Sequence, residues 1–414
     1  MKKLLLISFD FIRDGEPNTS LAIGSIMSYL YSKKEYGSEF VAKHHTINMY
    51  SLNSKTTSLD IADEIEYLDL NSFNFIAISA YVWNEKYLNN LMQILRIKYL
   101  FTGKFILGGY QISYSNNPAI EYPDCELFVD GYGEDSIYQI LMGKYKAGLI
   151  KSSLEFSDIP SPYTTGTIPI NLNQSKVRIE TKRGCPYKCT FCAHRDLTNN
   201  RVLLKNNDRV FEELIFFKYK NVKKINILDP IFNAGKDYLV ILNKMVSLEL
   251  TSLISIQTRF ETITGEKGQE FLNLCEKLNI HLEFGLQTAN RNESILIKRK
   301  NQPEKIAFVM KELNKRNISY EVSLIYGLPS QTLQSFNESI EFLRMNGCYN
   351  IKAFPLMLLK GTELYLEKEK FKMEEKIINE FDIPVVVQSD SFTENEWFKM
   401  KEKAETLEFV IDRV

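Results

Sequence analysis

The sequence predicts an α/β protein. It should hold a doubly wound, flavodoxin- or Rossmann-like parallel sheet at the N-terminus, then a partial (β/α)6 TIM-type barrel and a short C-terminal extension. Three observations predict this. Short apolar runs alternate with amphipathic stretches along most of the chain, which is the pattern of βαβ units. The alternation breaks once, at a Ser-, Thr-, Pro- and Gly-rich stretch over residues 151–175. It then resumes for six further units, against the eight of a closed barrel. A chain of 414 residues leaves room for two or three domains at roughly 150 residues each. The expected layout is a first domain over 1–145, a linker over 146–175, the partial barrel over 176–360 and an extension over 361–414.

In the first domain, strands are expected at 3–8, 46–50, 75–80, 104–107 and 127–130, with helices such as 21–31 and 87–100 between them. Five strands suit a flavodoxin-like sheet, whose ligand crevice lies at the carboxyl ends of its strands. Gly108-Gly109 follows the fourth strand, and Gly131 and Gly133 follow the fifth. Glycine there permits positive φ and close approach of a ligand to backbone, or simply a tight turn. In the barrel, strands are expected at 177–181, 224–228, 253–257, 280–286, 320–325 and 351–356. Helices are expected at 210–218, 267–278 and 304–315. The extension reads as a charged helix over 363–380, a short apolar run over 383–387 and a last helix from residue 394.

Lys plus Arg is 51 and Asp plus Glu is 52, a net charge of −1. That balance argues against a nucleic-acid-coating protein. No stretch reaches the roughly 18 apolar residues of a membrane helix. The basic, apolar start is cut by Ser8 and Asp10 and reads as a buried strand, not a signal peptide. A cytoplasmic location is expected, where clustered cysteines are more often metal ligands than disulfides.

Three of the six cysteines fall within eight residues: Arg183-Gly184-Cys185-Pro186-Tyr187-Lys188-Cys189-Thr190-Phe191-Cys192. This C-x3-C-x2-C loop directly follows an expected strand. Three thiolates on one loop suit a cubane cluster with one iron left open, whereas electron-transfer clusters use four cysteines. A zinc site with His194 as fourth ligand and a redox dithiol from Cys189 and Cys192 are the alternatives. Cys125, Cys275 and Cys348 are scattered and read as ordinary semi-buried residues.

The cysteine loop resembles the signature of the radical S-adenosylmethionine superfamily, with Phe191 in the aromatic slot, and the resemblance extends over residues 176–360. It implies that Cys185, Cys189 and Cys192 hold a [4Fe–4S] cluster whose open iron chelates S-adenosylmethionine. It also implies an electron donor such as flavodoxin or ferredoxin. By the same resemblance Asp229, in Leu228-Asp229-Pro230, contacts the methionyl amine; its plainer role is a cap or turn residue. Arg259 and Glu261 are candidates for the carboxylate or ribose. Glu283 and Gln287 lie in Glu283-Phe284-Gly285-Leu286-Gln287-Thr288, which looks like the family's E-x-G-x-Q-S segment. Tyr326-Gly327-Leu328-Pro329 resembles the adenine-packing region, with Ser323 and Gln331 departing from the usual Gly or Asp and Glu.

The first domain resembles the cobalamin-binding domain of one branch of that superfamily. The resemblance rests on Ser79-Ala80-Tyr81-Val82-Trp83-Asn84, Gly108-Gly109-Tyr110-Gln111, Gly131-Tyr132-Gly133-Glu134 and Ile159-Pro160-Ser161-Pro162-Tyr163. It implies cobalamin near Gly108, Gly109, Tyr81 and Trp83, although the two aromatics also suit plain core packing. The D-x-H-x-x-G motif that supplies a histidine to cobalt is absent; His44 and His45 read as strand-edge positions.

The expected function is a radical enzyme acting on an unactivated carbon of a small molecule or peptide, with cobalamin-dependent C-methylation as the outcome. Cobalamin-independent rearrangement, oxidation, epimerisation or 3-amino-3-carboxypropyl transfer is the alternative. A non-catalytic metal-binding or sensor protein is the third reading. Methylthiolation of tRNA is set aside, since the first 124 residues hold no cysteine.

Overall fold

The computed structural model describes residues 1–151, 155–194, 201–379 and 382–408. The chain divides into two compact units, residues 1–171 with 379–383, and residues 172–378 with 384–414.

The first unit is built on six parallel strands: β1 (Lys2–Asp10), β2 (Phe40–Asn48), β3 (Phe75–Ser79), β4 (Lys104–Gly108), β5 (Leu127–Asp130) and β6 (Gly148–Lys151). Their order, β2-β1-β3-β4-β5-β6, is the flavodoxin-like order with one strand added. Both faces are buried, so β1 reads as consecutive apolar residues over Leu4–Ile7 rather than as an alternation. Leu5, Ile7 and Phe9 enter one core with Leu88, Leu91 and Leu95 of α3 (Glu85–Ile97). Leu4 and Leu6 enter the other, with Ile23, Met27 and Leu30 of α1 (Leu21–Tyr31) and Ile137, Ile140 and Leu141 of α6 (Gly133–Leu141).

Two strands differ from expectation. β2 begins six residues earlier than residue 46 because it is an edge strand, where Lys43, His44 and His45 are tolerated beside solvent. β6 lies inside the expected linker. It is the other edge, with only Ile150 buried, so no alternation marks it in sequence. The rest of that segment also packs, burying Phe156, Ile159, Tyr163 and Ile168.

Past a short antiparallel pair, β8 (Lys182–Arg183) with β9 (Leu203–Leu204), the second unit is built on β7 (Lys176–Ile179), β10 (Lys224–Ile227), β11 (Leu253–Thr258), β12 (Ile280–Gln287), β13 (Ser319–Tyr326) and β14 (Ile351–Pro355). These six parallel strands lie in chain order across one sheet, as in a partial barrel. A helix follows each of the first five: α7 (Asn207–Lys220), α8 (Tyr238–Ser247), α9 (Gly265–Cys275), α11 (Pro303–Lys315) and α12 (Leu333–Met345). In β12 the side chains of Ile280, Leu282, Phe284 and Leu286 are buried, while His281, Glu283 and Gln287 stay partly exposed. One face of the strand is therefore apolar and the other polar, the period-2 pattern of a half-buried strand.

The expected helix over 363–380 is not formed. Thr362 caps a short α13 (Glu363–Leu366), a 3₁₀ turn follows, and Lys372 turns the chain at φ 48°. The chain then enters β15 (Glu374–Ile377), antiparallel to β16 (Pro384–Gln388). Glu and Lys favour helix locally, but the buried Val385–Val387 run offers a strand partner, and pairing overrides propensity. Residue 380 lies outside the described residues. In α14 (Glu394–Glu408), Trp397 is fully buried, its ring 5.4 Å from that of Tyr326. Among the described residues no helix is long and apolar enough to cross a membrane.

Candidate active site

The cysteine loop leaves β7 through a clamp. The Thr181 and Lys182 amides donate to Asp229 Oδ1 at 2.7 and 3.1 Å, and the Thr181 hydroxyl donates to Oδ2. Lys182 Nζ donates to the carbonyls of Phe232 and Ala234 at 2.7 and 2.8 Å. The loop after β10 is thus tied to the start of the cysteine loop. Gly184 then turns at φ 85°, and a Cβ there would stand 2.3 Å from the Arg201 carbonyl. Further along, the Thr190 amide donates to the Ile297 carbonyl at 3.1 Å, and the Thr190 carbonyl accepts from Leu364 at 3.0 Å.

Cys185, Cys189 and Cys192 all line one cavity of about 400 Å³ at the carboxyl ends of the barrel strands. None is in a disulfide. Burial pushes the Cys185 thiol up, against the Tyr187 amide and the charges of Arg259 and Arg299. Burial pushes the Cys192 thiol up to about 11, against the His194 amide. Among the described residues no three His, Cys, Asp or Glu side chains converge closely enough for one metal ion.

Of the residues singled out in sequence, Phe191, Arg259, Glu283 and Gln287 also line this cavity. The Arg259 guanidinium lies 3.9 Å from the centre of the Tyr187 ring, and its Nε donates to Glu261 at 3.1 Å. Glu283 accepts from the Ser255 hydroxyl at 2.6 Å. Gln287 has φ 70° where the β12–β13 register shifts. The bulge and the positive φ re-aim this side chain, a distortion that costs of order 1–3 kcal/mol and recurs at functional sites.

Three expected site residues do not line the cavity. Asp229, expected at the methionyl amine, is fully buried and spends its carboxylate on the Thr181–Lys182 clamp. Glu261 reaches the site only as the partner of Arg259. Tyr326 points away, into Phe336 and Trp397. Its neighbour Ile325 faces the cavity instead, because alternate residues of a strand face opposite ways.

Arg299 is the main residue that sequence reasoning missed. It sits in Lys298-Arg299-Lys300, which reads as a solvated charge run, yet only 7% of it is exposed. Its Nη1 lies 4.0 Å from Cys189 Sγ, Nη2 donates to the Gly285 carbonyl, and Nε is buried without a partner among the described residues. An orphaned guanidinium nitrogen in a cavity with three free thiols fits an anionic occupant.

Residues 179–343 match the family model of the radical SAM superfamily. The chain carries a radical SAM domain. The superfamily implies a [4Fe–4S] cluster and S-adenosylmethionine, and the three thiols with their adjoining cation suit both. The chain is 22% identical over 323 residues to the cobalamin-dependent radical SAM methyltransferase TokK of Streptomyces tokunonensis, 70% of this chain and 47% of TokK. It is 18% identical over 317 residues to the ribosomal protein uS12 methylthiotransferase RimO of Protochlamydia amoebophila, 73% of this chain and 64% of RimO. The chain thus spans less than two thirds of either relative. Its fold is similar to that of TsrM, a radical S-adenosylmethionine methyltransferase from Kitasatospora setae, with TM-score 0.72, 12% identity and coverage of 98% and 89% of the two chains. It is also similar to that of OxsB, a cobalamin-dependent S-adenosylmethionine radical enzyme, with TM-score 0.70, 14% identity and coverage of 99% and 67%.

The expected cobalamin residues lie at the carboxyl edge of the first sheet, near the switch point between β1 and β3. The rings of Tyr81 and Trp83 stack at 4.5 Å, and the Trp83 indole N–H donates to the Phe9 carbonyl at 3.0 Å, spanning that switch point. Gly109 turns at φ 100°, and a Cβ there would stand 2.8 Å from the Ala80 carbonyl. Gly108 ends β4, where a Cβ would stand 3.4 Å from Val129. His44 Nε2 lies 3.0 Å from Thr19 Oγ1, and His45 lies between Glu64 and Tyr67.

Proposed function

We propose that this radical SAM enzyme methylates an unactivated carbon of a small metabolite or natural product, with cobalamin held by the first unit. The observation that carries the reading is one cavity holding three free thiols, two guanidinium groups and a polar strand face. The cluster, when bound, supplies an open iron and the electron for reductive cleavage of S-adenosylmethionine. Cys185, Cys189 and Cys192 would hold it as thiolates, giving up their protons on binding. Arg299, beside Cys189, offers its Nε to a carboxylate. Arg259 is held by Glu261 and Tyr187 as a second cation. Glu283 and Gln287 accept and donate hydrogen bonds to sugar hydroxyls. Cobalamin would sit against Tyr81 and Trp83 and serve as methyl carrier; the fold shared with TsrM and OxsB supports this.

One observation favours a second reading. Trp83 bridges the crevice of the first sheet through its bond to Phe9. Cobalamin-independent chemistry follows if that bridge stays closed. One experiment separates the two readings. The chain is reconstituted anaerobically with iron, sulfide and hydroxocobalamin, then given methyl-labelled S-adenosylmethionine and reductant. Corrinoid retained on gel filtration and label in product support methylation. Deoxyadenosine formed with no retained corrinoid supports the alternative. Retained iron with no cleavage would leave only a metal-binding protein.

A further inference from the structure

The loop after β10 serves two neighbours at once. On one side, its Asp229 carboxylate and the Phe232 and Ala234 carbonyls hold the Thr181–Lys182 start of the cysteine loop. On the other, its buried Asn233 grips the Arg259 backbone twice. The Arg259 amide donates to Asn233 Oδ1 at 3.2 Å, and Asn233 Nδ2 donates to the Arg259 carbonyl at 3.3 Å. The next residue, Phe260, stacks on Phe284 of β12 with ring centres 4.0 Å apart. The Arg259 backbone is therefore fixed from two sides. Its side chain returns to the cysteine loop, where the guanidinium lies 3.9 Å from the centre of the Tyr187 ring. The contacts close into a ring: cysteine-loop start, β10 loop, Arg259, Tyr187 and back along the chain.

Arg259 is only 4% exposed, so its guanidinium has lost most of its water. Nε is spent on Glu261 at 3.1 Å. Nη1 and Nη2 make no hydrogen bond among the described residues, and Arg259 lines the cavity. A desolvated guanidinium over a ring face is attracted by the ring quadrupole, and more strongly than at an exposed site. A long side chain held this way also loses its rotamer freedom before any ligand arrives. We infer that Tyr187 is a positioning residue: its ring, set between Cys185 and Cys189, holds the Arg259 guanidinium in one pose at the cavity wall, prepared for an anionic group. Tyr187 thereby ties the pose of that cation to the loop that carries the thiols. The inference rests on the radical SAM reading, which supplies S-adenosylmethionine as the occupant.

The test is a double-mutant cycle on the full chain, reconstituted anaerobically with iron and sulfide and kept without reductant. Affinity for labelled S-adenosylmethionine is read by equilibrium dialysis, and iron content is read on each preparation. Tyr187→Leu and Arg259→Met should each weaken binding, Tyr187→Leu by about tenfold, the worth of a desolvated cation–ring contact. The double variant should bind no more weakly than Arg259→Met alone, because a residue that acts through Arg259 has nothing to act on once Arg259 is gone. Tyr187→Phe keeps the ring and should stay within about twofold of the parent chain. Iron content should be the same throughout. Additive losses overturn the proposal. So does a loss in Tyr187→Phe as large as that in Tyr187→Leu, which would assign the effect to the phenol hydroxyl. Iron lost from Tyr187→Leu in step with affinity also overturns it, since the ring would then hold the thiols and not the cation. Failure of the parent chain to take up iron or S-adenosylmethionine would instead sink the radical SAM reading. Denaturant midpoints of the metal-free chains of the same cycle decide the stacking independently: coupled losses support it, and additive losses overturn it.

Discussion

The two parallel sheets of this chain spend their faces differently. The first is apolar on both faces: Leu5, Ile7 and Phe9 go one way, Leu4 and Leu6 the other. Only its strand ends are left for a ligand. The second is apolar toward its helices but polar on the other face, where Glu283 and Gln287 reach the cavity. A sheet buried on both sides is a platform, whereas a sheet with a polar inner face can itself be a site. The cavity with the three thiols belongs to the second kind. Its loops are wired from behind by Asp229 under the cysteine loop and by Gln331, which caps the Gly327–Leu328 turn at 2.7 and 3.2 Å, as buried Asn84 ties the loop after β3 in the first sheet.

The largest effect expected from this contrast is confined to the second unit. Cys189→Ala should abolish cluster assembly and S-adenosylmethionine cleavage while corrinoid uptake by the first unit persists. Iron content and the corrinoid spectrum of one preparation check both. Joint loss of the two would break the functional separation.

The next largest tests the cost of the polar wiring. Burial raises the Asp229 carboxyl from 3.8 to about 6, against Lys182 and the Thr181 and Lys182 donors. The folded chain thus holds that proton more tightly than the unfolded one. The resulting stability is fully present below about pH 4 and lost as pH rises through 6, about 3 kcal/mol in all. Denaturant midpoints of the metal-free chain should follow this slope, and Asp229→Asn should lack it. Identical slopes for the two proteins would remove Asp229 from the account.

Arg299→Met should lower affinity for S-adenosylmethionine about 10–100-fold, as expected for the loss of a charged hydrogen bond of about 1.5–3 kcal/mol, with Arg299→Lys intermediate. Equal binding by all three proteins would show the cation to be structural. The smallest effect lies in the first unit. Trp83→Phe removes one hydrogen bond across the β1–β3 crevice, about 1 kcal/mol of stability, and should strengthen corrinoid uptake if the indole is a bar. Weaker uptake would make the indole part of the corrin's bed.

These regions also differ in how much the sequence reveals. The βα alternation, the cysteine loop and the Glu283–Gln287 segment are local patterns, and the structure realises each. What escaped depends on distant partners. β6 shows no alternation because it is a four-residue edge strand. β15 is Glu- and Lys-rich and gains its strand form from β16. Arg299 looks like one member of a basic run until the fold turns it inward to Cys189. Tyr326 and Ile325 differ by the one step that separates the two faces of a strand, and it is Ile325 that lines the cavity.

The hold on Thr190 has a consequence for how the enzyme is made. Its amide and carbonyl are gripped from two distant places, Ile297 and Leu364, by bonds that involve no thiol. Part of the ordering entropy of the cysteine loop is therefore met by the polypeptide itself. A cluster would then load onto a loop whose shape is partly set by the polypeptide, unlike a zinc finger, which takes shape only around its ion. Assembly would run in two stages, folding and then loading. Removing the iron should return the chain to an empty but folded mould, ready to be filled again.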